Sequence, residues 1–273
     1  MTSFFHRGVT LLVTGGAILG SWAAMGANAL ALTQAQIAEQ LQAIPVFILT
    51  NERGFPFIEP VPNGEEGTIP TIVTRVFISH EDAETSLESL QEMHPDLTET
   101  AQVTPLPLAK IYEMAFIGRG EENPLEFLLV PIVEEVQFAM SLVPESRPEY
   151  SDVPLFMVTS DSSDENANGD SSSNGEDEIT LLTQQQGDEK IVPLFFRRDQ
   201  FDSILESLSE ENPEFVENME LQVIWLEDFI SLLERADDDN AAIQQYQMIP
   251  LPESVDFAQS FIGSNRSNNG SAN

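Results

Sequence analysis

The sequence predicts an α+β fold made of two pseudo-symmetric lobes, each a small sheet covered by helices. Three blocks of sequence occur twice in the same order, and strand-like and helix-like segments mix without a regular βαβ alternation. Of the 273 residues, 41% are apolar, which is enough to form a sizeable core. The recurrence of whole blocks indicates two copies of one unit, related by an approximate two-fold axis.

The repeated blocks define the internal duplication. "LESLQEMHPDL" from Leu87 recurs as "LESLSEENPEF" from Leu205, 118 positions later, and this offset needs no gap from about Val76 to Ala115. Earlier, "IPVFILTN" matches "VPLFMVTS" with an offset of 109, and later "LVPIVEEVQFAMSLV" matches "MIPLPESVDFAQSFI" with an offset of 119. We therefore predict a signal peptide over 1–31, a first lobe over 32–143, a second lobe over 144–263 and a disordered tail over 264–273.

The N-terminal segment is typical of a secretory signal peptide. A weakly basic start, "MTSFFHRG", precedes the apolar run "VTLLVTGGAILGSWAAM", and the small-x-small tripeptides ending at Ala29 and Ala31 fit a cleavage site. The alternative is a membrane anchor, but the apolar run is short and interrupted by glycines and a serine. No later segment is long and apolar enough to cross a bilayer, so we expect no integral membrane segment after cleavage.

Each element of the unit has a local signature. "LTQAQIAEQLQAI" predicts an amphipathic helix with Thr33 as N-cap. "PVFILT" and "PLFMVT" predict the first strand of each copy, and "TIVTRVFIS" and "KIVPLFFR" predict the second. A helix follows, because Ala83, Leu87 and Leu90 form an apolar stripe that Phe201, Leu205 and Leu208 repeat.

The remaining elements follow from similar signals. Ser79 with Asp82 resembles a capping box, and Pro95 and Pro213 lie where the helices must end. "AQVTPL" and "MELQVIWL" predict a third strand, followed by a helix near Leu106–Phe116 or Leu226–Arg235. A strand, "FLLVPI" or "YQMIPL", and a short helix close each unit.

An acidic insertion separates the two copies most clearly. Asp161–Glu178 has no apolar residue larger than alanine, which predicts a disordered, solvated loop. Within it, Asp164-x-Asn166-x-Asn168-Gly169-Asp170 resembles the start of an EF-hand calcium loop. The twelfth position is Gly175 rather than glutamate, and helical flanks are missing, so we predict no metal site.

Composition excludes several classes of function. The formal net charge of −35 disfavours nucleic-acid binding, because phosphates are repelled, and favours basic partners. The absence of cysteine excludes thiol catalysis and thiolate metal sites. His80 and His94 are interpreted as surface caps, and the Glu134-Glu135 and Asp237–Asp239 carboxylates as solvated faces. We therefore predict no enzyme, no catalytic residue and no cofactor.

The aromatic and aliphatic strand residues are the candidate binding residues. The strand "VFIL" is apolar on both faces, so each face needs cover from helices, the sister lobe or a partner. One interpretation is packing within and between the lobes; the other is an apolar groove that binds polypeptide. The candidates for the groove are the equivalent positions Phe47 and Phe156, Leu49 and Val158, and Phe77 and Phe195.

The blocks "IPVFILTNERGFPFI", "VTRVFISHEDAETSLESLQEMHPDL" and "LVPIVEEVQFAMSLV" together resemble the Tic22 family, the twenty-two-kilodalton subunit associated with the chloroplast inner-envelope translocon, in its cyanobacterial form. The resemblance covers nearly all of the chain after the signal peptide. It implies a two-lobed α+β protein of the periplasm, and also of the thylakoid lumen, that escorts precursor or outer-membrane proteins to the β-barrel assembly machinery. The long acidic insertion departs from the family pattern.

The sequence thus leads to one hypothesis with two alternatives. The first is a chaperone or transport factor that binds unfolded or precursor polypeptides and delivers them to the β-barrel assembly machinery. The second is a structural adaptor that docks on that machinery without contacting clients. The third is an unrecognised hydrolase that uses His80.

Overall fold

The computed structural model describes residues 11–12, 32–61, 70–119, 125–143, 152–161, 179–186, 189–211, 216, 219–236 and 243–269. Its helices are α1 (Gln34–Leu41), α2 (His80–Met93), α3 (Pro95–Thr98), α4 (Leu108–Gly118), α5 (Val133–Leu142), a 3-10 turn (Arg198–Phe201), α6 (Asp202–Glu211), α7 (Leu226–Glu234) and α8 (Pro252–Asn269). Its strands are β1 (Leu11–Leu12), β2 (Pro45–Thr50), β3 (Glu59–Val61), β4 (Thr71–Phe77), β5 (Gln102–Pro107), β6 (Leu125–Val130), β7 (Pro154–Asp161), β8 (Ile179–Leu181), β9 (Thr183–Gln186), β10 (Glu189–Phe195), β11 (Met219–Trp225) and β12 (Tyr246–Ile249). The predicted α+β class is confirmed.

The strands form two separate sheets. In the first sheet the order is β3-β4-β2-β5, with β6 parallel to β4. In the second the order is β1-β9-β10-β7-β11, with β12 parallel to β10 and β8 beside β7. In the first sheet, β2 runs antiparallel to its two neighbours, β4 and β5. In the second sheet, β7 runs antiparallel to its neighbours β10 and β11 in the same way.

The two sheets correspond residue by residue where the sequence blocks align. Phe47 is paired with Phe77 in the first sheet, and Phe156 is paired with Phe195 in the second. Pro107, at the end of β5, pairs with Pro45, and Trp225, at the end of β11, pairs with Pro154. The pairing therefore agrees with the offsets seen in the sequence; an origin of both halves by duplication stays a prediction.

Helix starts follow their caps. Thr33 closes a capping box with Gln36, whose Oε1 accepts from the Thr33 backbone N–H at 2.9 Å. The Ser79 hydroxyl oxygen accepts from the backbone N–H groups of Glu81 and Asp82, at 3.2 and 3.5 Å. α2 then ends at Met93, and Pro95 starts the short helix α3 rather than continuing the previous one.

The last helix of each half packs on the sheet of the other half. α5 follows the first sheet in sequence but contacts β7 and β11, and its Phe138 and Ala139 pack with Phe156 and Trp225. α8 follows the second sheet but contacts β2, β5 and α2, where Phe257 packs. This reciprocal exchange makes the two halves one folding unit, because each core includes a helix from the other.

The largest core cluster lies where the halves meet. Ile37 and Leu41 of α1 pack there with residues from both halves, among them Val46 of β2, Leu155 of β7 and Phe229 of α7. The single helix α1 therefore contributes to the packing of both halves.

The C-terminal helix differs from the sequence prediction, and several other predictions fall outside the described residues. α8 extends to Asn269, whereas the sequence predicted a disordered tail from 264. Once a helix has begun, each added residue forms one further hydrogen bond, so polar residues continue the helix. Most of the predicted signal peptide, all of the EF-hand-like pattern and Pro213 lie outside the described residues. Over the described parts of the chain, no helix combines the length and apolarity needed to cross a membrane.

Candidate functional site

An open cleft lies between α2 and strands β3 and β4 of the first sheet. Its volume is about 520 Å³. It is lined by residues of these three elements, of the neighbouring strand β2 and of the connections beside them: Leu49, Phe57, Ile58, Glu59, Pro60, Thr74, Arg75, Ser86, Ser89, Leu90, Met93 and His94. We call it the α2 cleft.

The α2 cleft exists because α2 covers only part of the sheet. Ala83 is fully buried, and Leu87 and Leu90 pack against the same core, so that side of α2 faces the sheet. Ser86 and Ser89 lie on the adjoining side, where their small side chains leave space. The floor is apolar, and Ile58 and Met93 at the rim are 55% and 66% exposed. Apolar side chains that protrude this far are open to a partner.

The polar groups of the α2 cleft are largely satisfied within the protein. Arg75 Nη2 donates to Glu59 Oε2 at 3.0 Å, and both side chains are about half exposed. Thr74 Oγ1 donates to the carbonyl oxygen of Phe57 at 3.0 Å. With Arg75 paired to Glu59 above an apolar floor, the geometry suits apolar binding better than proton transfer.

The equivalent place in the second half is closed. Leu182 lies where Phe57 lies in the first half: its N–H donates to Val158 O at 3.0 Å, as that of Phe57 donates to Leu49 O at 2.9 Å. Leu182 is 1% exposed and packs with Val158 and Leu208, the counterparts of Leu49 and Leu90. The same fold therefore has one open and one filled copy of this space.

A single pair of aligned residues accounts for much of the difference. Ile204 in α6 occupies the position that Ser86 occupies in α2, and it packs into the cluster around Leu182. A branched aliphatic side chain fills the space that a serine leaves empty. The sequence analysis did not predict this cleft; the difference between Ser86 and Ile204 in the aligned helices is the signal that could have indicated it.

The candidate binding residues lie mainly in the cores. Phe47, Phe77, Phe156, Phe195 and Val158 are at most 3% exposed, because both faces of their strands are covered by helices. Leu49, 8% exposed, is the member of the set that lines the α2 cleft. In this fold the other five contribute packing, so their contact with a polypeptide requires an opened core and stays a prediction. The sequence analysis did not select Ile58, Ser86 or Met93.

His80 corrects the expectation of a surface cap. Its ring stacks on Phe257 with centroids 5.1 Å apart and lies edge-on to Phe47 at 6.0 Å. Its buried Nδ1 has no hydrogen-bond partner among the described residues, and neither has the buried Oγ of Ser254. His80 is drawn inward because α8 of the other half covers the start of α2. A ring packed on two phenylalanines does not support a catalytic role.

Asp82 lies beside this contact. Burial, followed by the nearby carboxylates of Glu134 and Glu81, raises the pKa of Asp82 above its ordinary value. The first turns of α2 and α5 therefore bring like charges together where the halves meet.

Glu135 corrects the expectation of a solvated carboxylate. It is 6% exposed and accepts hydrogen bonds from Nε and the backbone N–H of Arg198, at 3.1 and 3.4 Å. The Arg198 guanidinium carbon also lies 4.1 Å from the centroid of the Phe138 ring. By alignment, Arg198 and Glu135 correspond to His80 and Ser254, so the ion pair of α5 is replaced by uncharged side chains at the equivalent positions beside α8, where Glu253 pairs with Arg197 instead.

The described residues contain no group of three His, Cys, Asp or Glu side chains that could hold a metal ion. Asp164–Asp170 and Asp237–Asp239 lie outside them.

Comparisons with known proteins bear on the whole fold. A structure from Anabaena, described as Tic22 (protein transport), superposes with a TM-score of 0.65 and 23% identity over 84% of this chain and 97% of its own. Tic22 from Plasmodium falciparum superposes with a TM-score of 0.61 and 20% identity over 83% of this chain and 98% of its own. No curated protein matches the sequence significantly.

The sequence profile of the Tic22-like family matches residues 17–259, which is most of the chain and includes all strands after β1, all of α5 and the start of α8. The resemblance carried by the repeated blocks is thus confirmed over the whole fold, and the chain belongs to the Tic22-like family.

Proposed function

We propose that this protein acts in protein transport by binding apolar segments of unfolded or precursor polypeptides in the α2 cleft. In this proposal it works in the periplasm, and in the thylakoid lumen, and delivers its clients to the β-barrel assembly machinery. The observation that carries the proposal is the open, apolar cleft with exposed Ile58 and Met93 at its rim.

The contrast between the two halves supports this use of the cleft. In the second half, Leu182 fills the equivalent space as part of a strand-like segment whose backbone bonds to Val158. The fold thus accepts an aliphatic side chain at this position in a buried environment. In the first half Phe57 is only half-buried, so a side chain from another polypeptide has room to enter.

The description of the Anabaena structure as a protein-transport protein agrees with this proposal. A carrier needs a surface that stays soluble while empty, and the net charge of −35 provides this by keeping copies of the chain apart.

The experiment introduces the second half's own residue into the cleft. Ser86→Ile places in α2 the side chain that α6 carries at Ile204. The control is Thr85→Ile, one residue away, where the same group is added on the exposed side of α2. Both variants are compared with the unaltered protein in slowing aggregation of an unfolded outer-membrane β-barrel, and in binding it.

We expect the unaltered protein and Thr85→Ile to slow aggregation equally. Ser86→Ile should bind the unfolded barrel about tenfold or more weakly, because the added side chain prevents one aliphatic side chain of the client from being buried. Burial of such a side chain contributes about 1.5–3 kcal/mol. If the unaltered protein does not bind the barrel, or Ser86→Ile binds it as well as Thr85→Ile does, the proposal is wrong. If the protein binds no client but forms a complex with the assembly machinery, and Ser86→Ile leaves this complex intact, the result would instead favour the hypothesis of a structural adaptor.

A further inference from the structure

Strand β3 lies at one end of the first sheet, beside the α2 cleft. Within the described residues it pairs with β4 alone, and all three of its residues are exposed. Ile58, which precedes β3, is 55% exposed. An exposed edge of this kind presents backbone N–H and C=O groups to which another chain can add as a strand. We call residues 58–61 the β3 edge; Ile58, Glu59 and Pro60 of this edge also line the α2 cleft.

The second half has an equivalent edge, and there a strand is added. β9 pairs with β10 as β3 pairs with β4, and the paired residues of β10 and β4 differ by the 118 positions that separate the repeated blocks. Thr183 is therefore the counterpart of Ile58. The chain's own strand β1 pairs antiparallel with β9 and places Leu12 opposite Thr183. Thr183 is only 5% exposed, so the fold has one covered edge and one open edge.

Pro60 decides which backbone groups an added strand must supply. A proline within a sheet turns the side that lacks its N–H away from the paired strand. The carbonyl oxygen of Pro60 therefore faces outward at the β3 edge and can accept a hydrogen bond, but Pro60 offers no N–H in return. Binding at this edge thus depends on the N–H groups of the added chain.

The strand on β9 indicates the chemistry of the segment that the β3 edge takes. β1 lies within the run "VTLLVT", residues 9–14, which has neither charge nor proline and is rich in the β-branched residues typical of strands. Side chains of an added strand alternate between its two faces, so every second one faces α2. The floor of the α2 cleft, which includes Leu49, Phe57 and Leu90, is apolar and suits these side chains.

We infer that the β3 edge binds an extended client segment of leucine and β-branched residues as an added antiparallel strand, with alternate side chains in the α2 cleft. This inference rests on the proposed function and specifies the kind of segment that the same cleft takes and how its backbone is held. A client segment bound as a helix would satisfy its own N–H groups and would make no use of the β3 edge.

The test uses three labelled peptides that contain the run "VTLLVT" between serine flanks. One peptide is unmodified, one has N-methyl groups at the first, third and fifth positions of the run, and one has them at the second, fourth and sixth. Each N-methyl group removes one hydrogen-bond donor, and the two methylated peptides match in side chains and in number of methyl groups. Fluorescence anisotropy measures their binding to the unaltered protein, to Ser86→Ile and to the control Thr85→Ile.

We expect one methylated peptide to bind the unaltered protein as tightly as the unmodified peptide does, and the other to bind about tenfold or more weakly. Only alternate N–H groups of an added strand face the edge, and each lost hydrogen bond contributes a few-fold. Ser86→Ile should bind the unmodified peptide about tenfold more weakly than Thr85→Ile does, because it fills the cleft. Amide hydrogen exchange at Ile58 should slow when the unmodified peptide is bound.

The outcomes separate this inference from the proposed function. Equal binding of the two methylated peptides, with Ser86→Ile still weakening all three, overturns strand addition and leaves the apolar cleft standing. If one methylated peptide binds more weakly but Ser86→Ile weakens none of them, the strand is added at another edge and the inference is wrong. Absence of binding by every peptide overturns strand addition alone when the unfolded β-barrel is still bound, and overturns the proposed function as well when it is not.

Discussion

Removal of Arg198 tests whether the exchange of helices stabilises the protein. Arg198→Ala removes the Nε–H donor that lies 3.1 Å from Glu135 Oε2, and the guanidinium that lies 4.1 Å from the Phe138 ring centroid. The Glu135 side chain is 8% exposed, while that of Arg198 is 41% exposed. The variant thus leaves a buried carboxylate whose one remaining hydrogen-bond donor, within the described parts of the chain, is the backbone N–H of residue 198.

The size of the effect follows from this burial. Loss of one partner of a fully buried pair costs about 3–5 kcal/mol, because the other charge stays buried. Since Arg198 is partly solvated, water already screens the pair, and we expect the loss of the pair to lower the free energy of unfolding by about 2 kcal/mol. Loss of the contact with Phe138 adds about 0.5–1 kcal/mol. The expected loss in the free energy of unfolding is therefore about 2–3 kcal/mol, or roughly 5–10 °C in Tm for a domain of this size.

The assay is urea and thermal unfolding followed by circular dichroism. The control is Arg75→Ala, which breaks the Arg75–Glu59 pair, whose side chains are 48% and 51% exposed. An exposed pair contributes about 0–1 kcal/mol, so this control should change stability little. If Arg198→Ala loses no more stability than Arg75→Ala, the reasoning about the buried contact is refuted.

Three further substitutions test other contacts between the halves. Ser254→Ala should raise the free energy of unfolding by about 1 kcal/mol in urea, because it removes a buried hydroxyl without a partner among the described residues; a loss of stability would show that the hydroxyl is bonded. Asp82→Asn should stabilise the folded protein at neutral pH, because the raised pKa of Asp82 means that its charged form is disfavoured on folding. This gain in the free energy of unfolding should shrink as the pH falls through the raised pKa towards 3.8, which unfolding curves at several pH values would check. Tyr112→Phe should lower the free energy of unfolding by about 1 kcal/mol, measured by urea unfolding, because it removes the 3.1 Å hydrogen bond from the Tyr112 hydroxyl to Glu234. Lys110→Ala breaks only the exposed pair with Glu113 and should lower it less.

The sequence alone determined the main helices and strands of each half and their order, but it did not predict the short elements β1, β3, β8, β9 and α3. The stripe of Ala83, Leu87 and Leu90 has the helical period, and the structure places these residues on the buried side of α2. Thr33 and Ser79 cap helices as predicted, because a cap depends on residues only two or three positions away. The offset between the repeated blocks also agrees with the pairing of Phe47 with Phe77 and of Phe156 with Phe195.

The tertiary structure alone decided which helix covers which sheet. α5 and α8 have the pattern of helices that close their own unit, and nothing local distinguishes packing on one sheet from packing on its equivalent. For this reason the burial of Glu135 and the packing of His80 on Phe257 were missed, because each side chain contacts a residue from the other half. The α2 cleft has the same origin: Ser86 leaves an opening that no distant side chain among the described residues fills, whereas Leu182 and Ile204 fill its counterpart.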